Sequence, residues 1–119
     1  MRFRVESLDH VALGVSDQSA SETWYRDVLG LEREHADAWG DTPRAVMAAG
    51  SGLALFGRSV HGPGFHHLAF RVDRENFELA QEELREAGIE FEFADHDVSH
   101  SIYFTDPDGV RLELTTYEV

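Results

Sequence analysis

The 119-residue sequence contains no cysteine, no lysine, only three prolines, and no apolar run long enough to span a bilayer. The missing cysteines exclude disulfides and thiolate metal sites, so any metal must be held by nitrogen and oxygen donors. The missing lysines leave arginine as all ten basic residues, against 23 acids, for a formal charge of -13. These acids are spread along the chain, and a field of that sign repels phosphate backbones and anionic membranes. Neither nucleic acid nor a membrane is therefore expected as a partner. An acidic surface of this kind suits a salt-rich setting, and arginine in place of lysine equally suits a GC-rich genome; composition leaves both open. The opening stretch MRFRVESLDH has no signal-like apolar segment, which predicts a cytoplasmic protein.

At 13.4 kDa the chain is expected to be a single domain spanning 1–119. Its coarse pattern is a strand from about Arg4 to Val15 and a helix from about Ser19 to Val28. Ser19 and Glu22 supply a capping-box signal for the helix start, and Gly30 marks its end. Short strands are expected at Leu31 to Ala36, Arg44 to Ala49 and Leu53 to Arg58. After the linker HGPGF the order recurs: a strand at Phe65 to Val72, a helix capped by Asp73 and ended by Gly88, then strands at Ile89 to Ala94, Ser101 to Asp106 and Val110 to Tyr117. LDHVALGV aligns with FHHLAFRV, matching His10 to His67 at an offset of 57, and LGLEREHAD aligns with AGIEFEFAD one residue out of that register. Two βαβββ modules follow, at about 1–60 and 65–119. The expected α+β fold pairs them into a curved, eight-stranded mixed sheet, an open cup with the helices outside.

Strand alternation assigns the faces. Val11, Leu13 and Val15 suit the helix side, as do Leu68, Phe70 and Val72, and likewise Val110, Leu112 and Leu114. His10, His67 and Glu113 then fall on the cup side. Two histidines and one carboxylate on one concave face match the facial triad that binds a divalent metal and leaves other positions open, a donor set suited to Fe(II) or Mn(II). Taken singly, a strand histidine is more often a surface or core residue than a ligand. The repeat is what raises these two above that reading. His66 is expected on the opposite face from His67, His61 lies in the linker, and His35 and His100 have no repeat partner.

The segments LDHVALGVSD, SETWYRDVLGLE, HHLAFRV and SIYFTDPDGVRLELTTYE resemble the vicinal oxygen chelate superfamily, which groups glyoxalase I, bleomycin-resistance proteins, extradiol dioxygenases and fosfomycin-resistance thiol transferases. The resemblance covers nearly the whole chain and implies the glyoxalase-like fold and a metal held by His10, His67 and Glu113. Glyoxalase I enzymes take a fourth ligand from the last strand of the first module, where this chain has Leu55 or Phe56, both apolar. Fosfomycin-resistance enzymes share the three-ligand pattern but carry threonine where this chain has Ala12, and they have a longer C-terminal segment. Bleomycin-binding members lack the ligands. The terminal signature of extradiol ring-cleaving dioxygenases is similar to His96, Ile102, Tyr103, Asp106, Pro107, Gly109 and Glu113 in order.

That similarity implies His96 as an acid-base group and Tyr103 as a hydrogen-bond donor, in an enzyme that cleaves a metal-chelated vicinal diol. Of Tyr103 and Phe104 only one side chain faces the cup, and Tyr103 is the expected one. DPDG is expected to set the register of the last strand. The alternatives are a lyase, isomerase or thiol transferase using the metal as a Lewis acid, with Zn or Ni also suitable, or a non-enzymatic binder of small aromatic molecules at Trp24, Trp39 or Phe56. A small-molecule substrate and a homodimer are expected in either enzymatic case.

Overall fold

The computed structural model describes residues 1–57, 64–105, 107 and 109–119, apart from the side chain of residue 29. The expected order of elements occurs twice. The chain divides into two compact units, one of Asp9–His67 and the other of Met1–Leu8 with Leu68–Val119.

In the unit of Asp9–His67 lie β1 (Ser7–Val15) from Asp9 onward, α1 (Gln18–Leu29), β2 (Glu32–Glu34), α2 (Ala36–Trp39), β3 (Arg44–Ala48) and β4 (Ser51–Gly57). The strands lie in the order β2-β3-β4-β1; β1 and β4 are parallel and the other pairs antiparallel. The cap of helix α1 lies two residues earlier than Ser19 and Glu22 suggest. Asp17 is its N-cap, accepting from the Ala20 N–H at 3.0 Å. Glu22 is unavailable for a capping box because its carboxylate takes Arg33 and Arg44 at 2.8 and 3.0 Å. Gly30 ends the helix at φ 73, where its N–H bonds Arg26 O. The expected strand through Ala36 is cut short: His35 turns to φ 61 and the one-turn helix α2 follows, with the Trp39 ring 4.6 Å from that of His35.

The second run of elements begins with β5 (Gly64–Arg71), whose residues up to His67 belong to the unit of Asp9–His67, and continues in the other unit with α3 (Arg74–Glu86), β6 (Glu92–Asp95), β7 (His100–Thr105) and β8 (Arg111–Thr116). Its strand order is β5-β8-β7-β6, again parallel between first and last and antiparallel elsewhere. Asp73 caps α3 through the Asn76 N–H at 2.8 Å. Phe77, Ala80 and Leu84 recur at helical spacing on one face of α3 and pack with Val72, Ile102 and Leu114. The first strand begins at Ser7 and not at about Arg4 as the sequence pattern suggests. The Arg2 and Phe3 N–H groups instead donate to the Glu83 carboxylate on α3, and Arg4 N–H donates to Asn76 Oδ1.

Both units follow the same rule, in which the first strand lies parallel to the last. The fold is α+β and glyoxalase-like, with eight strands in mixed arrangement, as the sequence pattern indicates. The linker residues His61 and Pro63, and Asp106 and Asp108 of DPDG, lie outside the described residues; Gly109 of that motif stands at φ 84. No helix among the described residues is long and apolar enough to cross a membrane.

Candidate metal centre

His10 lies in β1 and His67 in β5, and their rings meet edge to face with centroids 5.4 Å apart. The two Nε2 atoms stand 3.4 Å from each other. His67 is buried and His10 nearly so. Behind them, His10 Nδ1 lies 2.7 Å from Asp9 Oδ2, and a carboxylate accepts only, so the ring donates there. His67 Nδ1 is 2.6 Å from His66 Nδ1, a separation that requires a proton between the two nitrogens. His66 therefore does not turn away from His67 as strict alternation predicts. Its ring lies 4.8 Å from that of His67 and 5.5 Å from that of Phe56.

This arrangement fits a divalent cation. His10, donating from Nδ1 to Asp9, presents an Nε2 lone pair; where His67 likewise carries its proton on Nδ1, two lone pairs converge in a buried place and repel unless a positive charge sits near both. Nitrogens that share one ion at about 2.1 Å stand roughly 3.0–3.4 Å apart when they subtend about 90–110°. The observed separation falls at the upper end of that interval.

Glu113 is on β8, 3% exposed, with Leu112 and Leu114 on the opposite face of the strand and Leu114 in the core against α3. Its Oε2 accepts from Ser101 Oγ at 2.6 Å, and Ser101 Oγ also lies 3.0 Å from Thr115 Oγ1. Ser101 escaped sequence reading, although its spacing of two from Tyr103 on one strand was the available signal. Tyr103 pairs with Glu113 across β7 and β8. Phe104 packs into the core, so Tyr103 occupies the other face of β7. The Tyr103 hydroxyl lies 2.8 Å from His96 Nε2, and the Arg111 guanidinium stands 4.6 Å from its ring centroid. Burial, followed by the Glu113 charge, pushes the Tyr103 phenol well above its ordinary pKa, so it stays protonated and can donate.

The other candidates separate by position. His100 meets Phe93 edge to face and contacts Arg74 Nη1 at 3.1 Å, on the α3 side. Trp24 is exposed on α1 and Trp39 leans on His35; of the three aromatic residues considered for ligand binding, Phe56 is the one beside the histidines, 6.4 Å from His67. The register also corrects the assignment of the first-module counterpart of Glu113. Ala69, two residues after His67, pairs with Glu113, whereas Ala12, two residues after His10, pairs with Ala54. The counterpart is thus Ala54 and not Leu55 or Phe56, because the offset between modules grows from 57 at the first strand to 113 − 54 = 59 at the last. It still offers no fourth ligand.

A paired βαβββ architecture with converging histidines on the first strands defines the class. A model of the Glyoxalase/Bleomycin resistance protein/Dioxygenase superfamily matches residues 7–114, and the chain belongs to that superfamily. It is 33% identical over 117 residues to the glutathione transferase FosA of Serratia marcescens, covering 92% of this chain and 80% of that one. It is 30% identical over 124 residues to the metallothiol transferase FosB of Staphylococcus epidermidis, covering 96% and 84% respectively. Among solved structures, methylmalonyl-CoA epimerase from Mycobacterium tuberculosis shares the fold with a TM-score of 0.75 at 24% identity, over 98% of this chain and 91% of that one.

Proposed function

We propose that this protein is a metal-dependent enzyme in which His10, His67 and Glu113 hold one divalent cation, and that it joins a thiol to a small electrophilic molecule. The observation that carries the metal is the 3.4 Å approach of two Nε2 atoms. Glu113 completes the set as a buried carboxylate paired with Ala69, which shares a strand face with His67 two residues earlier. These three are the candidate set for one ion among the described histidines and acids. Support for the thiol comes from the two transferases, whose similarity runs over nearly the full chain. With no cysteine of its own, the protein must receive the thiol as a co-substrate.

A bound cation would act as a Lewis acid on an oxygen of the electrophile. Two imidazoles and one carboxylate suit Mn(II) or Fe(II), with Zn(II) and Ni(II) as alternatives. Thiol addition needs no change of metal oxidation state, so Mn(II) is the first ion to test. Tyr103, kept as a phenol, would donate a hydrogen bond toward the oxygen that gains charge, and His96 would relay its proton across the 2.8 Å contact. A homodimer forms part of the same proposal, as the state suited to a short paired-module chain, and sedimentation equilibrium decides it.

One observation favours a second reading. The His96–Tyr103 hydrogen bond joins the acid-base group and the hydrogen-bond donor that the extradiol dioxygenase signature implies. Anaerobic incubation with Mn(II), glutathione and a small epoxide separates the two. Metal-dependent thiol loss with a thioether product supports thiol transfer. Oxygen uptake with a catechol and Fe(II), without thiol loss, would replace it with ring cleavage.

A further inference from the structure

The strands bearing His10 and His67 repeat a detail beyond the histidines. In each, the residue immediately before the histidine contacts its Nδ1: Asp9 Oδ2 at 2.7 Å in β1 and His66 Nδ1 at 2.6 Å in β5. Successive strand residues point to opposite faces, so a side-chain bond between neighbours is no by-product of a regular pleat. Here it occurs at repeat-related positions, and both times on the nitrogen remote from the 3.4 Å Nε2–Nε2 approach.

An imidazole ligates through Nε2 only when that nitrogen carries no proton, and the partner at Nδ1 decides where the proton sits. We propose that Asp9 and His66 are positioning residues: each accepts the Nδ1 proton of the following histidine, fixing the tautomer that turns both Nε2 lone pairs toward one cation. This rests on the metal reading above. His66 then keeps its own proton on Nε2. The two supports differ in kind, since Asp9 is a fully buried carboxylate and His66 a second ring held between His67 and Phe56. An anion behind a ligating imidazole strengthens it as a donor as well as orienting it. Asp9 is accordingly the stronger support.

The test uses 15N-histidine-labelled protein without added metal and Mn(II) binding by calorimetry. Long-range 1H–15N spectra should show His10 and His67 as Nδ1–H tautomers in the wild-type protein. His66→Phe and Asp9→Ala should lower Mn(II) affinity about ten- to hundredfold and release the corresponding tautomer. Asp9→Asn, which keeps an acceptor in the same volume without the charge, should preserve the tautomer and lose less affinity; it serves if Asp9→Ala does not fold. Nε2–H tautomers in the wild type, or wild-type affinity in both His66→Phe and Asp9→Asn, would overturn the proposal. If the wild type binds no Mn(II), the metal reading fails separately, and the tautomer spectra still decide the roles of Asp9 and His66.

Discussion

Tyr103 and Glu113 face each other across the β7–β8 ladder, a phenol opposite a buried carboxylate. The pairing links two parts of the chain that alternation alone had assigned to one face. It also sets the chemistry of the phenol, because the neighbouring negative charge and burial both oppose its ionisation.

A native Tyr103 retains its proton at a pH where the unfolded chain, ionising near its usual value of about 10, has released it. Below that value the group has no pH effect on stability. As pH rises past about 10, the unfolded state binds fewer protons than the native state, and stability falls. Urea midpoints from pH 8 to 11 should therefore decline more steeply for wild type than for Tyr103→Phe. The same variant should lose about a hundredfold in kcat, the usual cost of one preorganised donor, with metal affinity close to wild type.

Gly52 pairs with His10 in the β1–β4 ladder. A Cβ there would collide with Val46 O and lie 2.8 Å from Met47 Cα, both backbone atoms that cannot rotate aside. Gly52→Ala should destabilise the protein by about 1–3 kcal/mol and shift the strand beside His10. Denaturant titration checks this; an unchanged midpoint would contradict so close an approach.

Glu22 holds two largely buried guanidinium groups, those of Arg33 and Arg44. Glu22→Ala leaves both cations without that acceptor and should cost about 1–3 kcal/mol, read as a lower unfolding midpoint. Asp41 joins the cluster, and its hydrogen bond from Arg44 holds the carboxyl below its ordinary range despite some opposing desolvation. Its stabilising contribution is complete above about pH 4 and is lost as pH falls through the lower folded value.

The repeated strands, helices and paired histidines were legible because each leaves a local mark: period two for strands, the Asp73 cap and Gly88 stop around α3, and an offset of 57 between His10 and His67. Helix α2 left none, since its one turn depends on the left-handed His35 and on Trp39 packing against it. The expected strand began too early, at about Arg4, whose N–H goes to Asn76 Oδ1 on α3 and not to a strand ladder. The contacts of Asp9 and His66 with the following histidines left no mark in the sequence, because alternation sends neighbours to opposite faces and these side chains reach back. The reaction was less legible than the metal, because the His96 and Tyr103 signature points to ring cleavage while similarity along the whole chain points to thiol transfer.

The central claim is one cation held by His10, His67 and Glu113. Mn(II) binding followed by electron paramagnetic resonance and calorimetry on protein stripped with chelator tests it most directly. The account predicts one ion per chain in the wild type and at least a hundredfold weaker binding in each of His10→Ala, His67→Ala and Glu113→Ala, with each variant's circular dichroism unchanged. Stoichiometric binding that survives all three substitutions, or no binding of Mn(II), Fe(II), Zn(II) or Ni(II) by the wild type, would contradict it.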